Sequence, residues 1–186
     1  MKYIVHFFNL AILCCLLTAC TSDSIQSETS ETEIPSRTDS LANILKTYDQ
    51  NVQTLIQDPN GLVKGFNLGM EGTLVKSKSS SLQLVDSINN TYSLQLSPLE
   101  AADYTFQISK DKLTKIEVVI YPENEYRQGV FYRELTDYYS SKFKTKALED
   151  NNTSTWKIPS QELSIRLTKV GNRKIHDLLL VFEKLK

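Results

Sequence analysis

Cysteine and histidine are scarce in this sequence. Three of its 186 residues are cysteine and two are histidine. Cys14 and Cys15 lie in an apolar run near the start of the chain, and no cysteine follows Cys20. A zinc site needs several Cys or His ligands, and a disulfide needs a second cysteine. The chain beyond Cys20 is therefore expected to depend on a packed core, without disulfides or a zinc site.

A large excess of charge of one sign is also missing. The 21 Lys and Arg residues oppose 22 Asp and Glu residues, which gives a formal net charge of −1. Nucleic-acid-binding domains usually have a high pI or a basic patch. The near-neutral balance gives no support to a nucleic-acid partner.

The sequence has no apolar run long enough to span a bilayer comfortably. The most apolar stretch, Ile4 to Leu17, is interrupted by His6 and Asn9, and a spanning helix needs roughly 20 apolar residues. Its length, with Lys2 in front, is typical of a secretory signal peptide covering residues 1–19. The stretch ends in Leu17-Thr18-Ala19-Cys20.

These four residues resemble the lipobox of bacterial lipoproteins. The resemblance implies cleavage before Cys20 and a diacylglyceryl group, with acyl chains such as palmitate, on the Cys20 thiol. A protein with two or more acyl chains is stably anchored to a membrane, and a lipidated cysteine cannot act as a nucleophile. Thr21 stands where an Asp would favour the inner membrane, so the outer membrane is expected. The face on which the domain lies stays open.

Residues 20–39 predict a lipidated cysteine followed by a disordered tether. The segment is rich in Ser, Thr, Glu and Asp, so it cannot bury enough apolar surface to offset the entropy of ordering. Folded structure is expected from residue 40 onward.

Three short motifs resemble the O-glycosylation signal of Bacteroidota, which is Asp, then Ser or Thr, then an aliphatic residue. They are Asp23-Ser24-Ile25, Asp39-Ser40-Leu41 and Asp86-Ser87-Ile88. The resemblance implies glycans on Ser24, Ser40 and Ser87. The alternative is that Asp and Ser are simply common in linkers and turns.

Two segments have helical periodicity. Residues 40–60 predict one amphipathic helix that ends in a turn at Asp58-Pro59-Asn60-Gly61. Its apolar stripe either packs on the domain's own sheet or binds another chain. A second long helix is predicted from about Glu123 to Lys144. The apolar stripe of the first helix consists of Leu41, Ile44, Leu45, Tyr48, Val52, Leu55 and Ile56. The stripe of the second consists of Phe131, Tyr132, Leu135, Tyr138, Tyr139 and Phe143.

Most of the remaining chain alternates with the period of β-strands. Residues 61–186 therefore predict an α+β domain with antiparallel sheet and about two long helices, consistent with two αβββ-like halves. The run Leu178 to Phe182 is apolar at every position, which is typical of a central strand.

This domain resembles small bacterial envelope domains of the beta-lactamase-inhibitor-protein-like and BamE-like classes. The motifs that carry the resemblance are Gly65 to Met70, Tyr104 to Phe106, Lys112-Leu113, Lys142-Phe143 and Trp156. The resemblance implies binding or assembly roles without catalysis, and it transfers no functional residue.

Residues for catalysis are few. The single histidine beyond Cys20 is His176, and no Gly-x-Ser-x-Gly motif presents a nucleophile. Paired carboxylates remain as candidates for hydrolysis, and their members are Glu117, Glu123, Glu125, Glu134 and Asp137. No catalytic residue, metal site or cofactor is predicted.

The expected function is therefore that of a non-catalytic envelope lipoprotein that binds a protein partner or acts in envelope assembly. One alternative is a carbohydrate- or small-ligand-binding lipoprotein, for which a surface cluster of Tyr138, Tyr139 and Trp156 would supply contacts. The other alternative is a carboxylate-based hydrolase with two facing acids in a cleft.

Overall fold

A computed structural model describes residues 37–171 and 175–185 of the chain, with side chains from Ser40 onward. The predicted signal peptide, the predicted lipid site Cys20 and the predicted glycosylation site Ser24 lie outside these residues.

The described residues form four α-helices and eight β-strands. The helices are α1 (Arg37–Leu45), α2 (Gln50–Ile56), α3 (Gly72–Lys78) and α4 (Glu125–Phe143). The strands are β1 (Gln83–Asp86), β2 (Thr91–Ser97), β3 (Glu100–Ser109), β4 (Lys112–Tyr121), β5 (Leu148–Asp150), β6 (Thr153–Ile158), β7 (Leu163–Lys169) and β8 (Leu178–Lys184).

All eight strands belong to one antiparallel sheet, in the order β1-β2-β3-β4-β8-β7-β6-β5. The fold is therefore α+β, as predicted. β8 lies between β4 and β7, so the prediction of a central strand is confirmed. Each half of the described chain has helical structure followed by four strands, whereas three strands per half were predicted. The strand missed in the second half is β5, which has only three residues, two of them acidic, and no alternating pattern.

The helices pack on one face of the sheet. The Tyr104 hydroxyl on β3 donates to the carbonyl of Leu55 on α2 at 3.3 Å, and the Trp156 indole on β6 donates to Ser140 on α4 at 3.1 Å. Burial of the alternate residues of this face from water provides the main stabilisation of the fold. The buried apolar residues that the strands contribute are Ala102, Tyr104, Phe106, Leu113, Ile116, Val118, Ile120, Trp156, Ile158, Leu163, Ile165, Leu167, Leu178, Leu180 and Phe182.

The segment predicted as one helix over residues 40–60 is two helices. α1 begins at Arg37, and α2 begins after Asp49, whose carboxylate accepts a hydrogen bond from the Asn51 backbone at 2.9 Å. An aspartate in this position competes with the helix backbone and starts a new helix. Both helices nevertheless contribute to the domain's own core, since Leu45 and Val52 belong to it.

The two ends of the sheet differ in the connections that they carry. We call the end with the β1–β2, β3–β4 and β6–β7 turns the hairpin end. We call the opposite end of the sheet the junction end, because β4 connects to α4 there. The β2–β3 turn and the β7–β8 connection also lie at this end. α1 begins at the hairpin end, where Leu41 shares a small groove with Phe143 and with Gln161 of the β6–β7 turn.

Candidate interaction surface

The aromatic residues proposed as ligand contacts are in the core. Tyr138, Tyr139 and Trp156 each have 0% of their surface exposed. The rings of Tyr139 and Trp156 meet edge to face at 5.9 Å between centroids. The predicted surface cluster is therefore wrong for this structure. The helical and strand periodicities place these residues on the inner faces of α4 and β6, and large rings there fill the space between helix and sheet.

The structure brings only Glu134 and Asp137 of the candidate carboxylates near each other, on the side of α4 that contacts Tyr48 and Asp49. Glu117 lies on the side of the sheet away from the helices, 2.8 Å from Lys115. Glu134 accepts a hydrogen bond from the backbone of Asp49 at 2.7 Å, and Asp137 accepts one from the Tyr48 hydroxyl at 2.6 Å. The sheet separates Glu117 from the acids of α4.

Glu123 and Glu125 are exposed at the start of α4. His176 is half-buried in the connection before β8. Burial raises the pKa of the neighbouring Asp177 above its ordinary value, although His176 acts to lower it. No group of three or more His, Cys, Asp or Glu residues able to hold a metal ion occurs in residues 37–171 and 175–185.

The most distinctive surface is the face of the sheet that carries no described helix, which we call the open face. Along a strand with one solvent-exposed face, buried apolar residues usually alternate with polar or charged residues that point to solvent. Here eight of the positions carry short uncharged side chains, which project little from the sheet. They are Thr91, Ser93, Ala101, Thr105, Thr153, Thr155, Ser164 and Thr168.

An apolar centre occupies the middle of the open face. Val119 on β4 pairs with Leu179 on β8, and Val181 is the next residue of β8 on the same face. Val119 and Leu179 are half-buried, and Val181 is only 1% exposed. Tyr121, which is 37% exposed, continues the patch along β4. These four residues are contiguous because cross-strand neighbours lie about 5 Å apart.

Polar groups surround this centre. Val181 lies between Glu117 on β4 and Arg166 on β7. The Tyr121 hydroxyl donates to Asp103 at 3.0 Å, and burial together with this carboxylate raises the pKa of Tyr121 to about 12. An apolar centre with a polar rim is the usual anatomy of a protein–protein interface.

A network of charges at the junction end ties the N-terminal helices to the rest of the domain. Arg127 at the start of α4 donates two hydrogen bonds to Asp49, at 2.8 and 2.9 Å, and two to Glu100, at 2.7 and 2.9 Å. The hydrogen bonds from Arg127 lower the pKa of Asp49, although burial opposes them. Burial raises the pKa of Glu100, but Arg127 and Asn51 outweigh it, so the net shift is downward. The network fixes the position of α1 and α2 on the domain.

Two of the three serines in the glycosylation-like motifs are described, and both are exposed. Ser40 lies in the middle of α1, and Ser87 lies in the β1–β2 turn. Asp86 accepts hydrogen bonds from the backbones of Ile88 and Asn89, at 2.8 and 3.2 Å, which holds the turn in shape. Ser87 is thus presented on an ordered turn, whereas Ser40 is part of a helix.

Sequence reasoning missed the open face as a surface. A sequence signal for this surface was present, because Thr and Ser occupy many strand positions that usually carry Lys or Glu on a solvent-exposed face. The pairing that makes Val119, Leu179 and Val181 neighbours depends on β4 meeting β8, and that long-range contact is not visible in a local pattern.

No helix within the part of the chain that the structure describes combines the length and the apolarity needed to cross a membrane. No protein-family model, no curated protein and no solved structure matches this chain.

Proposed function

We propose that this protein is a lipid-anchored, non-catalytic module of the bacterial cell envelope that binds a protein partner through the open face of its sheet. The observation that carries the binding role is the partly exposed apolar centre of Val119, Leu179 and Tyr121 within a polar rim. The anchor rests on the lipobox-like Leu17-Thr18-Ala19-Cys20. Thr21 favours the outer membrane as the site of anchoring.

The size of the open face suits a protein partner. Strands spaced about 4.8 Å apart make an eight-stranded sheet roughly 35 Å wide, and strands of about seven residues are roughly 23 Å long. The face therefore offers on the order of 800 Å², which is the area that each partner contributes to a standard protein–protein interface.

A protein partner is favoured over a carbohydrate because of where the aromatic rings lie. Sugar sites usually present exposed aromatic faces, whereas Tyr138, Tyr139 and Trp156 are fully buried. The open face offers Tyr121 together with aliphatic and hydroxyl side chains. Flat surfaces of this kind suit shape complementarity with another folded chain.

Site-specific photocrosslinking in the native envelope tests the binding role. A photoreactive amino acid at position 179, at the centre of the open face, should give one discrete crosslinked species whose partner recurs by mass spectrometry. The same group at Arg133, a residue of α4 with a side chain 70% exposed, serves as the matched control and should give none. Equal adducts at both positions, or adducts at Arg133 alone, would contradict binding through the open face.

The anchor has an independent test in Cys20→Ser. This variant should lose metabolic labelling with radioactive palmitate and should no longer be processed. A Cys20→Ser chain that is still labelled and still cut at the same position would contradict lipidation of Cys20. The two tests can fail separately, because crosslinking reports the open face and labelling reports the N-terminus.

A further inference from the structure

We propose that the hairpin end of the domain docks on an anionic lipid bilayer, with the tip of the β1–β2 hairpin inserted among the headgroups. This inference rests on the proposed anchor, because the anchor brings the domain to the membrane. It adds an orientation, in which the hairpin end faces the bilayer and the junction end faces away.

The tip of the β1–β2 hairpin is apolar and exposed. Ile88 has 89% of its surface exposed, Val85 59% and Leu84 54%. Leu84 lies opposite Tyr92, and the register of the hairpin is interrupted between Leu84 and Asp86 by an irregularity that contains Val85. Three exposed aliphatic side chains within five residues make a concentrated apolar surface, and such surfaces often mark a contact with a protein or a membrane.

The turn holds Ile88 outward by specific contacts. The Asp86 carboxylate accepts hydrogen bonds from the backbone of Ile88, and from the backbone and the side-chain amide of Asn89, the last at 2.6 Å. These hydrogen bonds lower the pKa of Asp86, so the carboxylate stays charged and the turn stays closed at neutral pH. The exposure of Ile88 is thus a property of an ordered turn.

The described residues at the hairpin end include more lysines than acids. At the hairpin end, six exposed lysines outnumber four acids, Glu71, Asp86, Asp111 and Glu162. The lysines are Lys110, Lys112, Lys144, Lys146, Lys157 and Lys184. A lysine-rich end is attracted to anionic headgroups.

The predicted tether enters the domain at this same end. α1 begins at Arg37, and its Leu41 lies beside the β6–β7 turn. An anchor attached at this end favours an orientation in which the hairpin end faces the bilayer.

A bilayer fits this end better than a second protein does. The apolar residues here project from a turn, and the end of the sheet that carries this turn is rich in lysine, a combination found in interfacial membrane contacts. A protein interface needs a broad surface of matching shape, and the open face supplies one elsewhere. The hairpin tip is therefore assigned to lipid and the open face to the protein partner.

A fluorescent probe at Ile88 tests the docking. The full chain carrying Ile88→Cys is produced in its envelope, purified as the mature lipoprotein, and labelled with an environment-sensitive dye. If Cys20 is lipidated, the introduced cysteine is the only free thiol once residues 1–19 are removed. The protein is then placed in phosphatidylcholine vesicles with and without phosphatidylglycerol. The matched control is Leu99→Cys, because Leu99 is an exposed apolar residue, 64% accessible, in the β2–β3 turn at the junction end.

Docking predicts a blue shift and a severalfold gain in dye emission at position 88 in the anionic vesicles, with no change at position 99. The gain should fall when Val85 is replaced by Asp, and it should be smaller in vesicles without phosphatidylglycerol. Trp156 emission and circular dichroism check that each variant is folded.

Three results would overturn the docking. The first is an unchanged spectrum at position 88 in protein that floats with the vesicles. The second is an equal shift at positions 88 and 99. The third is a shift at position 88 that appears in detergent without vesicles and grows with protein concentration, which would identify a second copy of the chain as the occupant. Protein that does not float with vesicles contradicts the anchor itself, and the docking with it.

Discussion

The Nε atom of Arg127 lies 2.7 Å from Oε1 of Glu100, a carboxylate whose side chain is only 3% exposed. The same guanidinium binds Asp49, the residue that caps α2. One side chain on α4 thus connects the first residue of β3 with the start of α2. A bidentate arginine satisfies both carboxylates in a way that a lysine cannot, because its donors form a planar fork.

Arg127→Met should lower the free energy of unfolding by about 3 kcal/mol, because removing one partner leaves the buried Glu100 charge uncompensated. Urea denaturation followed by Trp156 fluorescence measures the change. The control is Arg133→Met on the same helix. Arg133 lies 3.9 Å from Glu134 and its side chain is 70% exposed, so its loss should cost roughly 0–1 kcal/mol. Equal losses in the two variants would show that the network adds no stability.

The same network predicts a loss of stability in acid. Asp49 and Glu100 have pKa values in the folded protein below their ordinary values of 3.8 and 4.5. The unfolded chain therefore takes up protons first as the pH falls, and the free energy of unfolding decreases. The contribution is fully present above pH 4.5 and is lost as the pH passes downward through the lowered values.

Urea denaturation at a series of pH values from 6 down to 3 checks this dependence. Arg127→Met is the comparison, because it removes the largest contribution that lowers each of the two pKa values and should make stability less dependent on pH below pH 4.5. Glu71 and Asp86 also have lowered pKa values, and Asp177 has a raised one, but these groups are present in both proteins. Parallel curves for the two proteins would contradict the role of Arg127.

The sequence predicted the parts of this fold that depend on local periodicity. The stripes that contain Val52 and Leu135 were expected from helical spacing, and both residues are fully buried. The break at Asp49 was not expected, because the apolar stripe continues with helical spacing across it, although Asp49 caps a new helix through the Asn51 backbone. The possible surface role of Trp156 could not be decided from the sequence, since alternation shows that a residue faces one side of a strand but not which side α4 covers.

The intact mass of the mature protein shows whether the serines of the three motifs carry glycans. If the Asp-Ser-aliphatic motifs are used, Ser87→Ala should remove one glycan mass from the intact mature protein, and Ser24→Ala and Ser40→Ala should do the same independently. Ser87 is the best presented of the described sites, since it is exposed in an ordered turn. Ser40 lies in α1 and would have to be modified before that helix forms or while it is open. Intact-mass spectrometry of protein from its own host decides among them, and a mass equal to that of the lipidated chain alone would exclude glycans at all three.

Tyr138 and Tyr139 are adjacent, both are fully buried, and they should respond in opposite ways to loss of the hydroxyl. The Tyr139 hydroxyl donates to the carbonyl of Leu62 at 2.9 Å. The Tyr138 hydroxyl has no hydrogen-bond partner within the described residues. Tyr139→Phe should lower the free energy of unfolding by about 1–2 kcal/mol, since it leaves a buried carbonyl without its donor.

Tyr138→Phe should leave stability unchanged or raise it, because it removes a buried polar group that gains nothing in the folded state. Urea denaturation of the two variants side by side makes the comparison, with each serving as the volume-matched control for the other. A loss in Tyr138→Phe as large as that in Tyr139→Phe would mean that the Tyr138 hydroxyl is hydrogen-bonded in solution, with an internal water as the simplest partner.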